Sequence, residues 1–121
     1  MSPASIGIDI IEIYRIRKAA ERWQERFLYR IYTEAELKDC ENRWASLAAR
    51  FAAKEAVIKA MGVTKDIGWH DIEILRQEND APRICLHGNA CRIAKQLGIQ
   101  NFAVSLSHSE KYAVAVSIAN V

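Results

Sequence analysis

Asp9 sits in the run Ile6-Gly7-Ile8-Asp9-Ile10-Ile11-Glu12-Ile13, where β-branched residues fill almost every neighbouring position. An ionised carboxylate in such a run is costly unless a cation or hydrogen-bond donors meet it. Two kinds of partner are open: a salt bridge to Arg15 or Lys54, or a metal ion. Ile11, two residues on and pointing the same way along a strand, offers no second ligand.

A second constellation is Arg50-Phe51-Ala52-Ala53-Lys54-Glu55-Ala56-Val57-Ile58-Lys59-Ala60-Met61-Gly62. On a helix, Phe51, Glu55 and Lys59 share one face, Gly62 lies near its end, and Arg50 and Lys54 flank it. Carboxylate and cations therefore converge. The ordinary alternative is a solvated helix with a Glu55–Lys59 pair worth roughly a few tenths of a kcal/mol. The surrounding alanines argue against it, because they imply close packing on several sides. The third constellation, Ser107-His108-Ser109, offers hydroxyls, an imidazole and turn amides to a phosphate. It is equally an ordinary polar turn, and no glycine elbow supports a nucleophilic serine.

The elements that must position these groups follow from periodicity. The first apolar run predicts a strand buried on both faces, central or at an interface. From Tyr14 to Tyr32, Ile16, Ala19, Ala20, Trp23, Phe27 and Ile31 recur at helical spacing, which predicts one helix with a basic outer face. That face carries Arg15, Arg17, Lys18, Arg22, Arg26 and Arg30 against Glu21 and Glu25, a stripe suited to an acidic surface or simply to water. Thr33 with Glu36 forms a capping box opening a short helix to Cys40. Trp44 to Met61 reads as a long alanine-rich helix stopped by Gly62.

Asp71–Arg76 and Arg83–His87 read as strands joined by a turn at Asn79-Asp80-Ala81-Pro82, and Asn89–Leu97 as a helix ended by Gly98. Phe102–Leu106 and Tyr112–Ala119 form a hairpin. Ala103, Ser105 and Ser107 on its first strand and Ala113, Ala115, Ser117 and Ala119 on its second predict a surface of small side chains, where a helix or another subunit packs closely. The order β-α-α-α-β-β-α-β-β is irregular, so the predicted class is α+β: a mostly antiparallel sheet against a long central helix, in one domain over residues 1–121.

Composition narrows the function. In 121 residues, half of them hydrophobic, 17 basic and 15 acidic side chains give a net charge of +2, too balanced for a nucleic-acid binder. The three cysteines, Cys40, Cys85 and Cys91, have no metal-ligand spacing and read as reduced thiols. No signal-peptide pattern and no membrane-spanning run is present, so a soluble cytoplasmic protein is expected.

Taken together, Gly7-Ile8-Asp9-Ile10 with Arg15, then Arg50-Phe51-Ala52-Ala53-Lys54-Glu55-Ala56, then Ser107-His108-Ser109 with Tyr112-Ala113 resemble the small phosphopantetheinyl transferases of the holo-acyl carrier protein synthase type. The resemblance spans nearly the whole chain, and the middle motif is its specific part. It implies transfer of the 4′-phosphopantetheine arm of coenzyme A to a serine of an acyl carrier protein, in support of fatty acid synthesis. It also implies Asp9 and Glu55 as magnesium ligands. Ile11 stands where larger members of the superfamily carry a third acidic ligand, so water would complete the site, as suits magnesium.

By the same resemblance Arg50, Lys54, Lys59, Gly62 and His108 contact the nucleotide phosphates and the diphosphate, while Arg15, Arg22 and Arg26 dock the carrier. Lys59 would add positive charge in the reaction, and Glu55, directly or through a water, would serve as base. A homotrimer with sites between subunits is implied as well. The family's G-T-G-type loop is replaced here by Gly62-Val63-Thr64-Lys65-Asp66-Ile67-Gly68, so contacts from 63 to 68 are not carried over. The alternatives are a transferase for polyketide or peptide synthesis carriers and a non-catalytic trimeric binding module.

Overall fold

The computed structural model describes residues 5–62, 65–77 and 81–121. It runs β1 (Ser5–Glu12), α1 (Ile13–Trp23), α2 (Glu25–Ile31), α3 (Glu34–Cys40), α4 (Trp44–Met61), a short 3-10 turn (Trp69–Asp71), β2 (Ile72–Arg76), β3 (Pro82–Leu86), α5 (Gly88–Gln96), β4 (Asn101–His108) and β5 (Tyr112–Asn120). The fold is α+β, with strands pairing antiparallel as a three-stranded sheet in the order β1-β5-β4 and a separate β2-β3 ribbon.

Helix α4 is the hub. Seven alanines favour its backbone and let strands approach it closely, and Gly62, with φ of 73°, takes the left-handed turn that ends it. Two core clusters meet on this helix. One joins Ala52, Val57 and Met61 to Ile72, Ile74 and Ile93, and the other joins Leu47 and Ala48 to Ile16, Ile31 and Tyr32. Tyr32 is fully buried and its hydroxyl donates to the Leu47 carbonyl at 2.7 Å, so its polar end is satisfied.

Three expectations change. The single helix over 14–32 breaks at Gln24, whose φ of 52° is incompatible with α-helix, and its carbonyl then accepts from the Phe27 and Leu28 amides to start α2. The break allows Ile16 and Ile31 to enter one cluster. Strand β1 is neither central nor covered on both faces within the protomer: it is an edge, and Ile6, Ile8 and Ile10 are 66%, 61% and 63% exposed.

The small residues of the hairpin do not share a face either. Ala103, Ser105 and Ser107 pair with Ile118, Val116 and Val114, while Ala113, Ala115, Ser117 and Ala119 turn inward and are buried. The strands are offset by one residue from the assumed pairing, which exchanges faces. The remaining elements lie within a residue or two of expectation. The Thr33–Glu36 capping box is present, with Glu36 N–H on Thr33 Oγ1 at 3.2 Å and Thr33 N–H on Glu36 Oε1 at 2.9 Å. Of the 79–82 turn, Asn79 and Asp80 lie outside the described residues, as do Val63 and Thr64 of the loop after α4.

Candidate active site

Strand β1 crosses the last turns of α4 at Gly7. A side chain there would run into the Ala56 carbonyl and the Ala60 amide, and Ser5 Oγ donates to the Ala60 carbonyl at 2.5 Å. This approach carries Asp9, next on the inward side, up to Glu55 and Lys59. The Lys59 ammonium donates to Asp9 Oδ1 and to the Ile8 carbonyl, both at 3.0 Å. Asp9 is thus met by Lys59, not by the expected Arg15 or Lys54. Lys59 is half-exposed and its pair with Asp9 is soft, since an exposed ion pair is worth about 0–1 kcal/mol.

Glu55 is half-buried beside this pair. Burial, and then the neighbouring Asp9 charge, raise its carboxyl above the ordinary value, and Lys59 only partly offsets them. Two carboxylates beside one cation, Glu55 with its pKa raised by burial and by Asp9, are a donor set that suits a hard divalent ion. Magnesium binds one or two carboxylates and keeps water or phosphate oxygens elsewhere, so Asp9 and Glu55 fit it. Among the described residues no cluster of three or more potential metal ligands occurs. Ile11, on the inward side of β1, packs into both core clusters.

Lys54 is a correction. It is fully buried, and its ammonium donates to Glu36 Oε1 at 2.8 Å and to the Trp69 and Ile72 carbonyls at 2.9 and 2.6 Å. All three donors are used inside the protein, so Lys54 does not reach a phosphate. Desolvation pulls its pKa below the ordinary lysine value, against the pull of Glu36 in the other direction. The sequence marks Glu36 only as half of a capping box; nothing there announces a buried ion pair.

Arg50 lies elsewhere. Five residues before Glu55, it points about 140° away round the helix and lies ~7.5 Å along it. There it lines a cleft of about 430 Å³ with Arg43, Arg76, Pro82 and Ser105. Only 6% of Arg50 is exposed, and its Nε finds no acceptor among the described residues. Three guanidinium groups round one cleft favour an anion, which could satisfy that donor. Arg43 is also fixed by donating to the Cys40 and Asp39 carbonyls at 3.1 and 3.3 Å. Neither Arg43 nor Arg76 stands in a recognisable motif. His108 ends β4, exposed, two strands from Asp9 and so about 10 Å across the sheet. The single chain therefore presents two separate groups: Asp9, Glu55 and Lys59 with Gly62 one turn on, and the arginine cleft beside β4.

Arg15, Arg22 and Arg26 are exposed on α1 and α2. Arg22 lies over the Trp23 ring at 4.9 Å, which restrains its guanidinium. Trp23, Phe27 and Ala19 line a cleft of about 470 Å³ flanked by Arg26 and Arg30. Basic rim and apolar floor together suit an acidic amphipathic helix.

Residues 5–117 match the family model of the 4′-phosphopantetheinyl transferase superfamily. The chain belongs to that superfamily. Within it, the transferase is 51% identical to the holo-[acyl-carrier-protein] synthase of Dehalococcoides mccartyi over 113 residues, covering 93% of this chain and 95% of that protein. It is 48% identical to the Chlamydia felis synthase, with both chains fully covered. The fold matches the Helicobacter pylori holo-[acyl-carrier-protein] synthase, solved in complex with coenzyme A, at a TM-score of 0.87 and 34% identity, over 95% of this chain and 99% of that one. The transferase is thus an enzyme of the holo-[acyl-carrier-protein] synthase branch. No helix among its described residues is long and apolar enough to cross a membrane.

Proposed function

We propose that this transferase moves the 4′-phosphopantetheine arm of coenzyme A onto a serine hydroxyl of an apo-acyl carrier protein, in the cytoplasm and in support of fatty acid synthesis. The serine oxygen bonds to the phosphorus next to the pantetheine arm, and the phosphoanhydride bond breaks to release adenosine 3′,5′-bisphosphate. The observation that carries the reading is the pairing of Asp9 with Glu55 across β1 and α4 beside Lys59. Magnesium held by these two carboxylates would supply Lewis-acid neutralisation of the diphosphate. Lys59, near enough to hold Asp9, adds a second positive charge toward the leaving group. Glu55 takes the serine proton, directly or through a water.

The arginine cleft gives the phosphorylated nucleotide a place, with Arg50 as its buried donor. It and the Asp9 group belong to one reaction when they come from adjacent protomers of a trimer joined over the exposed face of β1. Three exposed isoleucines in a row support that association, because such a patch is unfavourable in water. The carrier docks on Arg15, Arg22 and Arg26, with an apolar side chain seated against Trp23 and Phe27.

Incubation with coenzyme A, magnesium and an apo-carrier, followed by mass spectrometry of the carrier, tests the whole reading. Asp9→Ala and Glu55→Ala each abolish the mass gain of the arm while leaving the circular dichroism unchanged; full transfer by both at saturating magnesium refutes the site. Arg22→Glu raises KM for the carrier by at least about tenfold, through like-charge repulsion, and leaves KM for coenzyme A near its original value.

A further inference from the structure

Helix α4 meets β1 and β5 mainly through small residues, with Gly7, Ala113 and Ala115 on the strands against Ala52, Ala56 and Ala60 on the helix, and larger side chains enter from Ile11 and from β4 at the margins. Such a surface permits close approach but has few ridges to resist rolling or sliding of the helix. Glu55 must nevertheless face Asp9. Lys54, its immediate neighbour, leaves the helix about 100° away and runs toward α3 and β2. There Glu36 Oε1 and the Trp69 and Ile72 carbonyls take its three protons. Glu36 is held in turn by the Thr33 amide on Oε1 and the Ile74 amide on Oε2, both at 2.9 Å. One turn earlier on α4, the Phe51 ring stacks on Trp69 with centroids 5.1 Å apart.

We infer that the buried Glu36–Lys54 ion pair is a positioning device, which sets the roll and axial placement of α4 and thereby the placement of Glu55 against Asp9. The inference rests on the reading of Asp9 and Glu55 given above. Stability alone does not account for the pair, because replacing a buried ion pair by apolar residues of similar size is often neutral or favourable. An apolar pair would fill the volume, but it would not fix a direction. The ammonium, with three acceptors at fixed positions on α3, the 3-10 turn and β2, does.

The test is the double variant Glu36→Leu/Lys54→Met, compared with the unaltered protein in four measurements. These are the thermal midpoint, kcat, KM for the apo-carrier, and the magnesium concentration needed for coenzyme A binding in calorimetry. The expected result is a folded protein with unchanged carrier KM, because the docking arginines lie on other helices. Its kcat falls about 10- to 100-fold, the cost of displacing a reacting group by around an ångström, and its magnesium requirement rises. A folded double variant with unaltered kcat and magnesium requirement overturns the inference. If the double variant does not fold, Glu36→Asp takes its place: it keeps the pair and its charge but draws the carboxylate back. The expected result is a lower kcat at constant carrier KM with a raised magnesium requirement; both unchanged overturns the inference. Absence of transfer in the unaltered protein would instead overturn the functional reading.

Discussion

The two faces of the β1–β5 strand pair carry opposite kinds of side chain. On these two strands the inner face, against α4, is built from Gly7, Asp9, Ala113, Ala115, Ser117 and Ala119, with Ile11 its one large aliphatic, while the flanking β4 adds Phe102, Val104 and Leu106. The outer face bears Ile6, Ile8, Ile10 and Ile118, all more than a third exposed, with Val114 and Val116 between them. On β1 and β5 size is thus inverted relative to an ordinary core, where the bulkiest aliphatics lie inside, whereas β4 keeps the ordinary pattern. The difference teaches what each face is for. The inner one brings a backbone close enough to α4 to set Asp9 beside Glu55, and small residues are the means. The outer one carries more apolar surface than a protomer in water favours, which matches a contact between copies.

The largest break in this contrast is Gly7→Val. Its side chain would overlap the backbone of Ala56 and Ala60, which has no freedom to swing aside. The cost exceeds the ~1–3 kcal/mol of ordinary overpacking, because strand and helix must separate. Thermal melting should show a protein unfolded or melting far lower, with no transfer activity; a stable, active Gly7→Val variant would remove the close approach as the reason for glycine.

Ile8→Glu attacks the other face and should act quite differently. In the proposed trimer three carboxylates would meet at the contact, so light scattering should report monomers that keep the secondary structure of the chain. Transfer should fall to background, because the arginine cleft no longer meets the Asp9 group. Retention of activity by the monomer would show that one chain supplies a complete site.

Much of this arrangement is legible in the sequence, for identifiable reasons. Helix α4 is read to its last residue, because alanine propensity, a left-handed glycine stop and a strict four-residue spacing all agree there. The α3 capping box is read because its two hydrogen bonds are local. Gln24 is missed, because a non-glycine residue with positive φ in an otherwise helical pattern carries no signature. The facing of the hairpin strands is missed, since a one-residue register change leaves both alternations intact while exchanging their faces. At the site, Asp9, Glu55 and Lys59 stand out by type and spacing, while the pairing of Asp9 with Glu55 is implied by the family resemblance. Lys54 is misassigned because burial and its partner Glu36 depend on contacts 18 residues apart in the chain. Arg43 caps the helix that carries Arg50, but Arg76 ends β2, and only the fold brings it to them.

Ala115→Leu should cost about 1–3 kcal/mol, since a fully buried position between β1 and β4 has no room for three more carbons. The corresponding enlargement outward, Ala103→Leu, should leave the protomer's melting temperature within a degree or so, because that strand position is exposed. Equal losses at the two positions would erase the distinction between the faces.

The smallest effect belongs to Ser117, which sharpens the contrast by removing its one oddity. Its side chain is fully buried on the inner face, between Gly7 and Val104, and its hydroxyl has no hydrogen-bond partner among the described residues. Burying an unpaired hydroxyl costs about 1–3 kcal/mol, of which alanine recovers part while adding no atom the helix would have to avoid. Ser117→Ala should therefore melt at the same temperature or a few degrees higher, with kcat unchanged. The space for a hydroxyl is fixed by the spacing of β5 from α4, so Ser117→Val should instead lower the melting temperature. A loss of stability of 1 kcal/mol or more in Ser117→Ala, on the order of a lost hydrogen bond, would mean that the hydroxyl is held after all and that the inner face is selected for polarity as well as size.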